Sequence, residues 1–167
     1  MVCGVLVAAE PAVSRHISVK VTTDNSTDYK EIGGSSQRSK TQKRQLEITL
    51  DNRDAEPAND ILVEWAIYGR QLTNGKVVKV KEGKESPRVP AMGKMTVKSE
   101  QVTIQGTPKH TVTTNRGNRG NRGGHNSISS KSVAATGQEY LGYVVRVRAG
   151  STMIEEVCSH PSLKDEK

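Results

Sequence analysis

Apolar residues recur at every second position in several short segments of this chain, and a period of two is typical of half-buried β-strands. The segments with this pattern are 15–22, 45–52, 61–68, 77–81, 94–105, 140–148 and 152–159. Within 94–105 the apolar residues change face, which predicts a bulge near Ser99. The pair Asn74-Gly75 tolerates positive φ angles, so it predicts a tight hairpin turn before residues 77–81.

The arrangement of these segments predicts the fold class. No stretch of ten or more residues shows the apolar period of about 3.6 that marks an amphipathic helix. About seven short strands separated by turn signals predict an all-β, immunoglobulin- or fibronectin-III-like sandwich in a single domain. Two polar stretches interrupt the pattern. Residues 23–42 are expected to form a long loop or a weak edge strand, and residues 106–138 a disordered insert rich in Gly, Arg and Asn.

The single tryptophan, Trp65, is expected to fill the space between the two sheets, because Val63 and Ile67 flank it on the same strand face. The alternative is an exposed indole that serves as a platform for a sugar ring. The pattern Tyr-x-Val-x-Val near the C-terminus is typical of a penultimate strand in fibronectin-III domains. The predicted structural core residues are therefore Trp65, Tyr143, Val145 and Val147.

Positive charge is concentrated in the insert. The formal net charge is +7, and residues 106–138 contain no acidic residue. Three tandem Asn-Arg-Gly units place Arg116, Arg119 and Arg122 there, and a smaller basic cluster comprises Arg38, Lys40, Lys43 and Arg44. One interpretation is weak binding of a polyanion; the other is a solvated loop. The tract has no aromatic residue for base stacking, so no specific nucleic acid partner is predicted.

Catalytic and metal chemistry have little support in the sequence. The four histidines, His16, His110, His125 and His160, are far apart and show no metal-ligand spacing. Glu155 and Glu156 are adjacent on a strand and so point to opposite faces. The sequence predicts no catalytic residue, no metal site and no cofactor.

The N-terminal residues 2–9 are uncharged and end in Val7-Ala8-Ala9, the small residues that a signal peptidase reads. We expect residues 1–9 to be the remnant of a secretory signal and residues 10–167 to be the domain; a short apolar first strand is the alternative. The run is too short to span a bilayer. Cys3 would leave with the signal and leave Cys158 without a partner, whereas a retained Cys3 allows a disulfide between the two.

Three regions carry a resemblance to a known family. They are residues 46–52 (Leu-Glu-Ile-Thr-Leu-Asp-Asn), residues 61–70 (Ile-Leu-Val-Glu-Trp-Ala-Ile-Tyr-Gly-Arg), and residues 142–147 with the downstream Ser-His-Pro-Ser-Leu at 159–163. The chain resembles a family of small exported immunoglobulin-like proteins of Verrucomicrobia and Planctomycetes, one member of which is encoded beside genes for a type IV pilus-like system. The resemblance implies a protein of the cell envelope or surface, associated with a pilus or secretion apparatus.

Together these features predict a non-enzymatic, exported structural or protein-interaction module in the periplasm, on the outer membrane surface or outside the cell. A protein partner or a second copy would associate through exposed edge strands, because their unpaired backbone groups can accept another strand. The alternatives are a carbohydrate-binding module and an extracellular polyanion-binding protein that uses the Arg-Gly insert.

Overall fold

The structure is a computed structural model that describes residues 16–33, 37–116 and 127–164. These residues form ten β-strands and one 3₁₀ turn at Pro161–Leu163. The strands are β1 (Ile17–Glu31), β2 (Arg38–Asn52), β3 (Ile61–Gln71), β4 (Val77–Glu85), β5 (Lys94–Lys98), β6 (Val102–Thr107), β7 (His110–Arg116), β8 (Ser127–Val133), β9 (Thr136–Ala149) and β10 (Thr152–Cys158). All pairings are antiparallel in the part of the chain that is described.

Two layers of strands confirm the predicted all-β sandwich of immunoglobulin-like type. The first sheet has β2 at its centre and β1 along one edge of β2. Both β5 and β6 pair with the other edge of β2, one after the other along its length. The second sheet runs in the order β10, β9, β3, β4. The first residues of β9 also pair with the end of β6, so β9 passes from one layer to the other.

The core lies between these layers and consists of the alternating apolar residues of both sheets. Its fully buried members include Leu46, Ile48, Leu50, Ile61, Val63, Ile67, Val145 and Val147. Alternate positions of a strand point to one face, so the branched side chains of β2, β3 and β9 meet across the interior. Trp65 is 5% exposed within this cluster, and Tyr143 is half-buried and packs against it.

The bulge predicted near Ser99 lies between β5 and β6. Lys98 faces Glu47 and Val102 faces Arg44, so four residue steps on one strand oppose three on β2. The backbone amide of Leu46 donates to the Ser99 hydroxyl at 2.8 Å, which satisfies a buried donor at the interruption. The predicted Asn74-Gly75 turn is also present, with Gly75 at a φ of 73°.

Residues 23–42 do not form the long loop that was one of the two predictions for this stretch. β1 and β2 are each 15 residues long and pair without a register shift from Ile17 opposite Asn52 to Glu31 opposite Arg38. The outer half of this hairpin has few apolar residues to bury, so its sequence lacks the alternation that reveals a strand. β1 does lie at the edge of its sheet.

The prediction of a disordered insert over residues 106–138 was wrong for its described part. β7 and β8 form a separate two-stranded ribbon, in which His110 faces Val133 and Arg116 faces Ser127. Thr and Val favour strands and Ser is tolerated in them, but apolar and polar residues do not alternate along the sequence of β7 or β8. Residues 117–126, with most of the Asn-Arg-Gly tract, lie outside the described residues, as does the predicted signal remnant with Cys3.

The C-terminal segment covers part of the outer face of the second sheet. Leu163 is fully buried there against Tyr68 and Val144 in a second, smaller apolar cluster. The Ser159 hydroxyl accepts from the Tyr143 amide at 2.7 Å and so fixes this segment to β9. No helix among the described residues is long and apolar enough to cross a membrane.

Candidate interaction surface

Among the described residues, no strand pairs with the edge of β1 that faces away from β2, and this edge is the candidate interaction surface. The Arg53 amide donates to the His16 carbonyl at 3.0 Å, and beyond the other end of the hairpin pairing the Ile32 amide donates to the Gln37 carbonyl at 3.4 Å. Hydrogen-bonded and non-hydrogen-bonded positions alternate in an antiparallel pair. Even-numbered residues of β1 therefore direct their backbone groups towards β2, and odd-numbered residues direct theirs away from the sheet.

One outward-facing amide of β1 already has a partner. The Val19 amide donates to the carboxylate of Glu155 on β10 at 3.3 Å. This contact closes the sandwich at the end where β1 begins. Beyond it, the odd-numbered positions with outward backbone groups are Val21, Thr23, Asn25, Thr27, Tyr29 and Glu31. At one of them, the Asn25 side-chain amide donates weakly to the Thr23 carbonyl at 3.4 Å.

Three other strand edges of the sandwich, those of β4, β10 and β5, carry features that oppose strand addition. β4 has the charged sequence Val-Val-Lys-Val-Lys-Glu-Gly-Lys-Glu and a register shift opposite Ile67 and Tyr68. β10 is interrupted by a shift between Met153 and Glu155, and β5 is only five residues long. Charges, bulges and short length are the usual protections of an edge. β1 also carries charged residues, but it is 15 residues long and keeps one register along its whole length.

A buried polar cluster contacts the middle of β1 on the inner face of the first sheet. The Arg44 guanidinium, in a residue that is 8% exposed, donates to the Ser26 carbonyl at 2.9 Å and to the Thr27 hydroxyl at 3.4 Å. Its carbon centre lies 4.9 Å from the centroid of the Tyr140 ring, at cation–π distance. The Gln42 side-chain oxygen accepts from the Tyr140 amide at 3.0 Å. These contacts hold β1 to β2 and β9.

Burial affects the ionisation of Tyr140 within this cluster. Desolvation raises the pKa of its phenol above the usual value, although the Arg44 charge and the hydroxyls of Ser159 and Thr23 lower it in part. The sequence placed Arg44 in a basic cluster that could bind a polyanion. Because its side chain is buried against β1 and Tyr140, Arg44 is not part of a basic surface.

The predicted core and polyanion residues are placed as follows. Trp65, Val145 and Val147 are buried between the sheets, so Trp65 is not an exposed platform for a sugar. Arg116 ends β7, while Arg119 and Arg122 lie outside the described residues.

The described acidic, histidine and cysteine residues are dispersed. Glu155 contacts β1 and Glu156 binds Arg146 on β9, so the adjacent carboxylates serve different neighbours. Within the described ranges no group of three His, Cys, Asp or Glu residues could hold a metal ion. Cys158 is a free thiol whose pKa is raised, first by burial and then by the nearby Glu156 carboxylate.

A groove of about 520 Å³ crosses the outer face of the second sheet. Charges of alternating sign lie across it from strand to strand, in the order Glu156, Arg146, Glu64 and Lys84. Arg146 binds Glu156, the Arg148 guanidinium lies 3.6 Å from Glu64, and Lys79 binds Glu82 at 2.7 Å. These ion pairs therefore neutralise part of the charge along this groove.

The comparisons with known proteins leave the function open. No family model matches the chain, and no curated protein matches it. Among solved structures, the chain is similar to the X-ray structure of Northeast Structural Genomics Consortium target SoR45, with 15% identity over 75% of this chain and 85% of that chain. The TM-score of that superposition is 0.31, so the likeness carries no argument about function.

Proposed function

We propose that the protein is a non-enzymatic, exported interaction module that binds a protein partner through the free edge of β1. The observation that carries the proposal is the run of outward backbone groups from Val21 to Glu31 on a strand that keeps one register throughout. An extended partner segment can add to such an edge, with its main chain supplying affinity and its alternate side chains supplying specificity.

The composition of β1 suits reversible association. Its outer half carries hydroxyl, amide and charged side chains, the charged ones being Asp24, Asp28, Lys30 and Glu31, and Tyr29 is its one large apolar group, 60% exposed. Each main-chain hydrogen bond formed with a partner contributes a net of about 0.5–1.5 kcal/mol, so several are needed for a specific complex. The Arg44 contacts order β1 before binding, which reduces the entropy lost when a partner docks.

The proposed location rests on the N-terminal sequence and on the resemblance to exported immunoglobulin-like proteins. An apolar run ending in Val7-Ala8-Ala9 supports export. We further propose that the protein associates with a pilus or secretion apparatus, as that resemblance implies. This association predicts that the partner is itself a component of the cell envelope.

Photo-cross-linking in the source cells tests the proposed function. A photoreactive amino acid replaces Asp28, an exposed residue of β1, and the matched control carries the same amino acid at Thr103, exposed on β6. We expect an adduct of discrete mass from position 28, and none from position 103. An additional Asn25→Pro substitution should abolish the adduct, because it removes an outward amide while leaving the hydrogen bonds to β2.

The Asn25→Pro variant must keep a melting temperature close to that of the parent protein for the comparison to hold, as edge-strand proline with its nitrogen towards solvent allows. An adduct from position 28 that survives Asn25→Pro would contradict the proposal. So would equal yields of adduct from positions 28 and 103.

A second candidate function, polyanion binding, has one observation in its favour. Lys40 on β2 lies opposite Gly106 on β6, so the basic end of the β1–β2 hairpin is close to the base of the acid-free segment 106–138. Lys109 and Lys131 are exposed at the ribbon. If this function holds, the wild type elutes from immobilised heparin at higher salt than an Arg116/Arg119/Arg122→Ala variant, because fewer released counterions mean weaker binding. Equal elution would rule the candidate out.

A further inference from the structure

We infer that the partner of the β1 edge is a second copy of this chain, paired antiparallel with the two-fold axis at Thr27. The inference rests on the proposed function and names the partner of the same surface. A two-fold axis is the common way in which identical chains associate, because one patch then serves both copies. The register follows from backbone direction, from the contact at Val19 and from the charges on the outer face.

Backbone direction limits the possible registers. Odd-numbered residues of β1 point their amides and carbonyls outward, so odd residues of one copy must lie opposite odd residues of the other. The Val19 amide is already bound to Glu155. An axis at Thr23 or Asp24 would place Val19 opposite Thr27 or Tyr29 and would require that contact to break.

The exposed charges select among the remaining registers. Lys20, Asp24, Asp28 and Lys30 are all exposed on the even-numbered, outer face of β1. An axis at residue 25 sets Lys20 opposite Lys30, and an axis at residue 26 sets Asp24 opposite Asp28. Like charges directly opposite each other destabilise a strand pair. An axis at residue 28 sets Asp28 opposite its own copy.

An axis at Thr27 avoids every one of these conflicts. It sets Asp24 of each copy opposite Lys30 of the other, so that two attractive pairs form. The overlap extends from Thr23 to Glu31 and provides about ten main-chain hydrogen bonds by the alternation of an antiparallel pair. An axis at residue 29 also pairs opposite charges, but its overlap is restricted to residues 27–31.

The same register accounts for the exposed tyrosine. Tyr29 is 60% exposed in the single chain. With the axis at Thr27 it lies opposite Asn25 of the second copy, on the inner face of the continuous sheet. Aromatic rings reach both the directly opposite and the diagonal neighbour across a strand pair. The partner strand therefore covers apolar surface that the single chain leaves in water.

Analytical ultracentrifugation of charge variants tests the inference. Asp24→Lys sets Lys opposite Lys at both pairs, and Lys30→Asp sets Asp opposite Asp. Each single variant should weaken dimerisation roughly 10- to 100-fold, because two attractive cross-strand pairs become repulsive. The double variant Asp24→Lys/Lys30→Asp restores opposite charges and should return the dissociation constant to within about threefold of wild type.

Lys20→Asp is the matched control, because Lys20 lies outside the overlap and should leave the dissociation constant unchanged. A dimer that Lys20→Asp alters, or that the charge reversals leave unaffected, would overturn the register. A wild-type chain that stays monomeric at all concentrations would overturn the self-association. In that case an Asp28 adduct of non-self mass would still support the proposed function, so the two failures are distinguishable.

Discussion

Gly83 lies opposite Trp65 on the edge strand β4, and its replacement by alanine probes how closely the core is packed. A β-carbon at this position would lie 2.4 Å from Cζ2 and 2.7 Å from Cε2 of the Trp65 ring. Ordinary contacts between carbon atoms begin near 3.5 Å, so the indole would have to move by about 1 Å. Trp65 is 5% exposed between the two sheets, which leaves it little room to do so.

The expected magnitude follows from two opposing effects. Overpacking a close-packed interior costs about 1–3 kcal/mol, whereas replacing glycine by alanine within a strand recovers about 0.5–1 kcal/mol of conformational entropy. We therefore expect Gly83→Ala to lower the free energy of unfolding by about 1–2 kcal/mol. For a chain of this length, that corresponds to a fall in melting temperature of roughly 2–8 °C.

A double-mutant cycle isolates the contact between these two residues. Phenylalanine lacks the larger indole ring system, so Trp65→Phe removes Cζ2, the atom that a β-carbon at position 83 would meet at the shortest distance. In the Trp65→Phe background we expect Gly83→Ala to be neutral or slightly stabilising. Urea unfolding of the four proteins, followed by far-ultraviolet circular dichroism, measures the coupling. The reasoning is refuted if Gly83→Ala has the same effect in both backgrounds.

Three further predictions concern the C-terminal segment, the bulge and the buried phenol. Leu163→Ala should lower the free energy of unfolding by about 2–5 kcal/mol in urea titrations, because its side chain is fully buried; an unchanged midpoint would contradict this. Ser99→Ala should cost about 1–3 kcal/mol in the same assay, since the buried Leu46 amide loses its acceptor, and Ser99→Thr should cost less if its hydroxyl is retained in place. Burial raises the pKa of Tyr140 in the folded protein above about 10, its pKa in the unfolded chain. The contribution of its neutral phenol to stability is therefore complete below pH 10 and is lost as the pH rises through the folded-state pKa. Between pH 9 and 11 the melting temperature should therefore fall less steeply with pH for Tyr140→Phe than for the wild type. Equal slopes in the two proteins would exclude the effect.

The central strands could be predicted from the sequence because burial imposes an alternating pattern on them. Leu46, Ile48 and Leu50 face the interior at every second position, as their spacing required. The bulge at Ser99 was predictable as well, since an extra residue changes the face on which the apolar side chains appear. Gly83 was not indicated by the sequence, because it lies beyond the predicted strand 77–81 and its close approach to Trp65 depends on the pairing of β3 with β4.

The outer half of the β1–β2 hairpin and the β7–β8 ribbon could not be predicted in the same way. Strands that bury little apolar surface have no alternation to detect, and cross-strand pairing depends on a distant segment. The sequence predicted association through an edge strand but not which edge, because the strand order decides that. The hydrogen bond between Arg53 and His16 shows that the backbone groups of Thr23, Asn25 and Thr27 point away from β2, and no local sequence pattern encodes that direction.

Arg44 shows a different limit of the sequence. It stands near Lys40 and Lys43 in a basic run, where a solvated or anion-binding role is the natural interpretation. In the fold, neighbouring residues of a strand point to opposite faces, so Lys43 is exposed while Arg44 is buried against Tyr140. The alternation that locates apolar core residues applies equally to charged ones.

Residue-resolved amide hydrogen exchange by nuclear magnetic resonance tests the role of β1 most directly. In dilute protein, the account predicts slow exchange at even-numbered amides, which bond to β2, and fast exchange at the odd-numbered amides from Val21 to Glu31. In concentrated protein, the odd-numbered amides from Thr23 to Glu31 should become protected as the second copy binds. Uniform exchange along β1, or protection that does not change with concentration, would contradict the account.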